Sequence, residues 1–288
     1  MYAISLIAAP GGLDPALVTS LQSAFGAGSA QWLAPDEAAE FPLETTPSNF
    51  DAVRDEIASM GVDLNIFPAA NRKKRLLIAD MDSTMIGQEC IDELAAEAGV
   101  GDRVADITAR AMNGELNFEA AIDERVGLLK GLPLTVITSV LETRITLAPG
   151  GETLLRTMKA NGAYAALVSG GFVQFTSAIA ARLGFDENRA NTLLENGDTL
   201  SGKVQRPILG QEAKVDALKD ITTRLNITTE DAIAVGDGAN DLAMIHAAGM
   251  GVALHAKPTV SAAAPIKVNH SDLTSLLYLQ GYAKTDFV

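Results

Sequence analysis

From residue 76 onward the chain alternates short apolar runs with helical patterns. The runs are LLIA at 76–79, YAALV at 164–168, AIAV at 232–235, GVAL at 251–254 and IKV at 266–268. Strands separated by helices build a parallel sheet covered on both faces. A strand buried on both sides reads as a continuous apolar run, not an alternating one. The expected fold class is therefore α/β, with a Rossmann-like parallel sheet and helices on both faces. Ligands of such sheets collect outside the carboxyl ends of the strands, so the residues that follow each run matter most.

One interval breaks the rhythm. About 80 residues separate the first run from the second, and most of them read as helix. Ile91, Leu94, Ala95 and Ala98 make one apolar stripe, and Phe118, Ile122, Val126 and Leu129 make another. An insertion at about 88–147, placed after a strand's carboxyl end, is either a lid over the ligand crevice or a structural decoration.

Residues 1–70 read as a separate small α+β domain. It has strands at YAISLIAA, near AQWLA and at VDLNIF, and helices at LDPALVTSLQSAFG and NFDAVRDEIASMG, with Pro42 and Pro47 breaking up the middle. The basic cluster NRKKR at 71–75 marks the boundary and reads more readily as a solvated linker than as a binding patch. The expected division is thus 1–70 and 71–288.

The chain has 36 acidic against 22 basic residues, a net charge of −14, which disfavours a nucleic-acid partner. An anionic ligand must be held by a local positive site. The single cysteine, Cys90, precludes an intramolecular disulfide or a multi-cysteine zinc site, and His246, His255 and His270 share no metal-ligand spacing. The start, MYAISLIAAPGGLDP, lacks the basic region of a signal peptide, and its apolar run is far short of the ~18 residues that span a bilayer. A cytoplasmic protein without a membrane partner is expected.

Three runs end in polar, turn-forming sequence: ADMDST at 79–84, VSGG at 168–171 and VGDGAND at 235–241. In a parallel sheet these ends face the same side, which would gather Asp80, Asp82, Asp237 and Asp241 around one crevice. Carboxylates so close repel unless a cation neutralises them. Hard oxygens without histidine or cysteine suit Mg²⁺. For Asp241 alone, simple helix capping is a credible alternative. Asp80 and Asp82 are two apart and share a face, so one carboxylate can attack a reacting group while the other moves protons.

Other residues leave alternatives open. Lys214 lies with Leu218, Ile221 and Leu225 on one helical stripe, so it either points inward at an anion or snorkels from a helix end. Ser169, followed by Gly170 and a second glycine, is either an N-cap or part of a phosphate cradle. Arg125 interrupts the stripe of Phe118, Ile122 and Leu129, and an inward guanidinium asks for a carboxylate, from the protein or from a ligand. Glu89 either joins Glu93 and Glu97 in a solvated acidic stripe or holds an ammonium beside the crevice. In their ligand-facing readings, an arginine for a carboxylate and a glutamate for an ammonium, over a phosphate cradle, would describe a phosphorylated amino acid.

The ordered set of Asp80-Met-Asp82-Ser-Thr84, Ser169, Lys214 and Gly236-Asp237 with Asp241 resembles the haloacid dehalogenase-like phosphatase superfamily. That resemblance implies Asp80 as the nucleophile forming an aspartyl phosphate and Asp82 as acid and base. Mg²⁺ would be bound by Asp80, Asp237 and the backbone carbonyl of Asp82, with Asn240 and Asp241 supporting. Within the superfamily, GQECIDELAAEAG, AMNGELNFEAAIDERVGLLKG and LVSGGF are similar to bacterial phosphoserine phosphatases. This implies Mg²⁺-dependent hydrolysis of O-phospho-L-serine, the last step of serine biosynthesis. Glu89 would hold the ammonium and Arg125 the carboxylate, while Met112 and Phe118 line the pocket. The first 70 residues resemble an ACT-type regulatory domain, which implies serine binding or dimerisation through it. Cys90 reads as lid packing. Rival functions are phosphoryl transfer to an alcohol, hydrolysis of another small phosphomonoester, or a phospho-acceptor signalling module.

Overall fold

Residues 1–112 and 115–288 are described by the computed structural model, Met112 by its backbone alone. They divide into two units: Met1–Ile78, Pro149–Ala165 and Leu218–Val288 form one, and Ala79–Ala148 with Ala166–Ala217 form the other. Among the described residues no helix is long and apolar enough to cross a membrane.

The first unit begins with β1 (Tyr2–Ala8), α1 (Pro15–Ala24), β2 (Gln31–Ala34), β3 (Ala38–Leu43), α2 (Phe50–Ala58) and β4 (Val62–Pro68). The four strands form an antiparallel sheet of order β2-β3-β1-β4. Asp14 caps α1 by accepting the Ala16 N–H at 2.8 Å. Ile4, Leu6 and Ala8 pack with Val18 and Leu21 of α1 and with Phe50 and Ile57 of α2 in one apolar cluster. Strand β3 runs through Pro42, contrary to the sequence expectation of a broken middle. Its pairing with β2 ends at Glu40, so no β2 acceptor is left waiting for the amide hydrogen that Pro42 lacks.

The outer strand β4 does not present a bare edge. Its Asn65 carboxamide donates to the Lys267 carbonyl at 2.8 Å and accepts the Lys267 N–H at 2.9 Å, imitating a strand. Asp63 accepts the Asn269 and His270 N–H groups at 2.9 and 3.0 Å. The segment 71–75 is also pinned down. Arg72 forms a bidentate pair with Glu40, Lys73 lies over the Tyr282 ring at 4.3 Å, and buried Lys74 donates to the Glu230 carbonyl at 2.7 Å. The basic cluster is therefore not a solvated linker: three of its cations are occupied within the fold.

After it come β5 (Leu76–Ala79), the helices α3 (Cys90–Glu97), α4 (Gly101–Met112), α5 (Phe118–Gly127), α6 (Thr135–Thr143) and α7 (Gly151–Ala160), then β6 (Tyr164–Phe172) and α8 (Val173–Leu183). Next are β7 (Glu187–Asn191), β8 (Leu193–Asn196), β9 (Thr199–Val204) and α9 (Gln211–Arg224). The chain ends with β10 (Ala232–Gly236), α10 (Leu242–Ala247), β11 (Met250–Leu254), α11 (Pro258–Ala263), β12 (Ile266–Val268) and α12 (Ser275–Leu279). The main sheet has the order β12-β11-β10-β5-β6-β7 and is parallel, flanked by helices as the alternating pattern required.

In the second unit, α3 to α6 follow β5. Their stripes are interior: Leu94, Ala95, Val126 and Leu129 are fully buried. The β8–β9 hairpin braces this helical segment, for Gly131 N–H donates to the Leu200 carbonyl at 2.9 Å and Leu200 N–H to the Leu132 carbonyl at 2.8 Å.

Candidate active site

All four residues of β5 are buried, and the chain leaves the sheet at Asp80. A tight turn follows. Thr84, Met85 and Ile86 all aim their N–H groups at the Met81 carbonyl, at 3.2, 2.9 and 3.1 Å. Ser83 takes a left-handed φ of 55° to make this possible. The turn directs Asp80 and Asp82 to different partners. Asp80 is buried, and its Oδ1 lies 2.7 Å from the Nζ of Lys214, which is only 2% exposed. Lys214 therefore points inward, and Leu218 and Ile221 of the same stripe are fully buried.

Asp82 accepts the Cys90 N–H at Oδ1, 3.0 Å, and the Ser169 hydroxyl at Oδ2, 3.4 Å. Burial pushes its carboxyl up to about 6, and the nearby Glu89 charge adds to the rise. Such a group can carry a proton near neutral pH and give it up again. Ser169 accepts the Gly171 N–H at 2.8 Å, which folds the end of β6 back on itself. A Cβ on Gly171 would stand 2.6 Å from Asp82 Oδ2, so a side chain there would displace that carboxylate.

At the end of β10, Asp241 is fully buried and accepts the Gly238 N–H at 3.0 Å. It thus serves as a cap. It also belongs to a group with Asp80 and Asp237 whose carboxylate oxygens all lie within 4.8 Å of one another. Three hard oxygen ligands at that spacing fit a divalent cation such as Mg²⁺ or Mn²⁺ better than a soft metal. The Asp82 side chain is not one of the three. Asn240 sits in the same loop, its Oδ1 close enough to Gly238 that a Cβ there would meet it at 2.3 Å.

The helical segment contributes the rest. Phe118, 39% exposed, lies over two glycines, since a Cβ on either Gly170 or Gly210 would meet its ring at 3.4 Å. Arg125 is half-buried and donates from Nε to the Ala121 carbonyl at 3.2 Å. Among the described residues no carboxylate lies within ion-pair distance of it. Asp92 and Glu89 supply negative charge around it, and burial draws its guanidinium below the usual arginine value. Glu89 accepts the Ser83 hydroxyl at 2.7 Å, whereas Glu93 and Glu97 pair with Arg144 at 3.2 and 2.5 Å. Glu89 is thus separated from its neighbours in the acidic stripe. The Met112 side chain lies outside the described residues.

Residues 77–246, more than half of the chain, match the haloacid dehalogenase-like hydrolase family. The chain belongs to that family. It is similar to a phosphoserine phosphatase of Streptomyces coelicolor, 41% identical over 257 residues, a match spanning 88% of this chain but 62% of that protein. A haloacid dehalogenase family hydrolase from Salmonella enterica serovar Typhi has a crystal structure with a TM-score of 0.88, 34% identity, and coverage of 96% of this chain and 97% of that one. A structure described as the phospho-aspartyl intermediate analogue of phosphoserine phosphatase has a TM-score of 0.66 and 40% identity, covering 71% of this chain and 98% of that one.

Three residues packed against this candidate site carry no sequence signal for the contacts they make. The Cys90 backbone N–H donates to Asp82, while the Cys90 thiol is buried and pushed far up by burial and by the Asp82 charge, which disfavours a thiolate. Gly171 reads only as a turn glycine until Asp82 is seen against it. Asn191 is buried at the end of β7, in a run, ENRAN, too polar to announce a strand.

Proposed function

We propose that this hydrolase is a phosphoserine phosphatase that cleaves O-phospho-L-serine to serine and phosphate. The observation that carries the reading is the pairing of two unlike charge settings: Asp80 against buried Lys214, and half-buried Arg125 with no carboxylate within ion-pair distance among the described residues. The first suits a phosphoryl group and the second an amino acid's carboxylate. The relatives at about 40% identity that bear this activity in their names support the same choice.

In this reading the Asp80 carboxylate attacks phosphorus, forming an acyl phosphate as the serine oxygen leaves. Asp82, its carboxyl raised to about 6, gives the departing oxygen a proton. It then takes a proton from the water that attacks the phospho-Asp80, releasing phosphate and restoring Asp80. Lys214 and Ser169 hold phosphoryl oxygens as charge builds, work that is mostly positioning and electrostatics. Arg125 binds the carboxylate and Glu89 the ammonium, with Phe118 closing over Gly170. Asp80 and Asp237, supported by Asp241 and Asn240, would hold Mg²⁺, which neutralises the carboxylates and polarises the phosphoryl group when bound. The N-terminal antiparallel sheet domain would be regulatory, a site for serine or for a second copy, and the helical segment at about 88–147 would be the lid.

Phosphate release by wild type, Arg125→Ala and Glu89→Gln tests the assignment. Both variants should lose about 10²-fold or more in kcat/KM on phosphoserine, while changing little on p-nitrophenyl phosphate, which has no amino-acid end. Equal losses on both substrates would sink the specificity argument and leave a phosphatase of other preference.

A further inference from the structure

Strand β6 does not run straight into its turn. Its parallel pairing with β7 shifts register between Val168 and Phe172, so Ser169, Gly170 and Gly171 bulge out of the ladder, and Phe172 pairs next with Asn191. A carbonyl in such a bulge loses its strand partner. The Asn191 side chain replaces it: Nδ2 donates to the Gly170 carbonyl at 2.9 Å. The same Nδ2 donates to the Leu209 carbonyl at 3.1 Å, and Oδ1 accepts the Leu209 N–H at 2.7 Å. Asn191 is 2% exposed, so these bonds are made out of water, where leaving a polar group unpaired is costly.

One buried carboxamide therefore spans two backbone segments with separate tasks. One is the Ser169–Gly171 turn, which faces Asp82. The other is residues 207–210, which lead directly into α9, where Lys214 meets Asp80. Gly170, one of the two points where the amide is attached, and Gly210, next to the other at Leu209, both lie under the Phe118 ring. A shift of Asn191 would move the turn and the entry to the Lys214 helix apart.

We propose that Asn191 is a positioning residue that sets this spacing and thereby governs affinity for the phosphoryl group, not recognition of the amino-acid end. This rests on the phosphatase reading, in which the turn and Lys214 hold phosphoryl oxygens. Asparagine suits the task because it offers donor and acceptor together on a short, stiff stem. Aspartate would turn an oxygen towards two carbonyls.

The test uses the full chain with Mg²⁺, as wild type, Asn191→Asp and Asn191→Ser. Circular dichroism establishes folding, calorimetry measures the affinity for inorganic phosphate, and kcat and KM are taken on phosphoserine and on p-nitrophenyl phosphate. In a folded variant, phosphate affinity should fall about 10- to 100-fold, and kcat/KM should fall by the same factor on both substrates. Phosphate affinity within twofold of wild type in a folded variant overturns the proposal, as does a loss confined to phosphoserine. Failure of both variants to fold assigns Asn191 to stability alone and overturns it too. A wild type that binds phosphate yet leaves phosphoserine intact ends the substrate reading, and the calorimetric comparison still decides Asn191.

Discussion

Replacing Lys214 by methionine removes the ammonium while keeping most of the side chain's volume. The pair it breaks is buried at both ends, with Nζ 2.7 Å from Asp80 Oδ1. At an effective dielectric constant of about 20, that distance gives a gross attraction of about 6 kcal/mol. Desolvation of the two ions offsets much of it, but stranding the carboxylate costs about 3–5 kcal/mol. A chain of this size loses about 2 °C of melting temperature per kcal/mol, so the metal-free Lys214→Met protein should melt about 6–10 °C below wild type. Differential scanning calorimetry without metal reads this directly. Adding Asp80→Asn to the same chain should recover part of the loss, because the stranded charge and its repulsion by Asp237 and Asp241 disappear together. Turnover of phosphoserine by Lys214→Met should drop about 10²- to 10³-fold. A melting temperature within about 1 °C of wild type, or a double variant no more stable than the single one, would refute the buried-pair reasoning.

Gly171→Ala should slow turnover about 10-fold or more without unfolding the chain, since its Cβ would meet Asp82 Oδ2 at 2.6 Å and Ser169 Oγ at 3.1 Å; steady-state kinetics on a folded variant checks it. Asp82 is protonated more readily in the native state than in the unfolded one, so its contribution to native stability falls as pH rises from 3.8 to about 6. In metal-free protein, Asp82→Asn should therefore gain on wild type in melting temperature across that interval, and a gap that narrows instead would show the sign to be wrong. Cys90, 1% exposed with its thiol pushed up by burial, should resist iodoacetamide in the native protein and react only on unfolding, as mass spectrometry can follow. Chelation with EDTA should abolish phosphate release, and Mg²⁺ in excess should restore it.

Much of this was legible before any coordinates, because burial on two faces writes itself as an apolar run. LLIA, AIAV and IKV all lie in strands of the main sheet, and the polar residues that follow them include the acids that gather. Strand β3 escaped notice because Pro42 argues against a strand unless one knows that β2 ends beforehand. Strands β7 to β9 escaped because ENRAN, LLEN and TLSGKV are short and polar, held by pairing and by the helical segment beside them more than by burial. The basic run at 71–75 misled for the opposite reason. Its cations find Glu40, Tyr282 and the Glu230 carbonyl, partners distant in sequence that no local pattern can reveal. Within the site, spacing put Lys214 and Arg125 on apolar stripes and raised the inward reading for each, but Asn191 and the Cys90 N–H act through backbone contacts that sequence does not encode locally.

The most direct test of the central claim compares initial rates of phosphate release, with Mg²⁺, from three compounds. O-phospho-L-serine carries both amino-acid groups, phosphoethanolamine lacks the carboxylate, and 3-phosphoglycerate carries a hydroxyl where serine has its ammonium. With Arg125 holding the carboxylate and Glu89 the ammonium, kcat/KM on phosphoserine should exceed that on either analogue by about 100-fold or more. Equal rates on all three, or a preference for either analogue, would contradict the account.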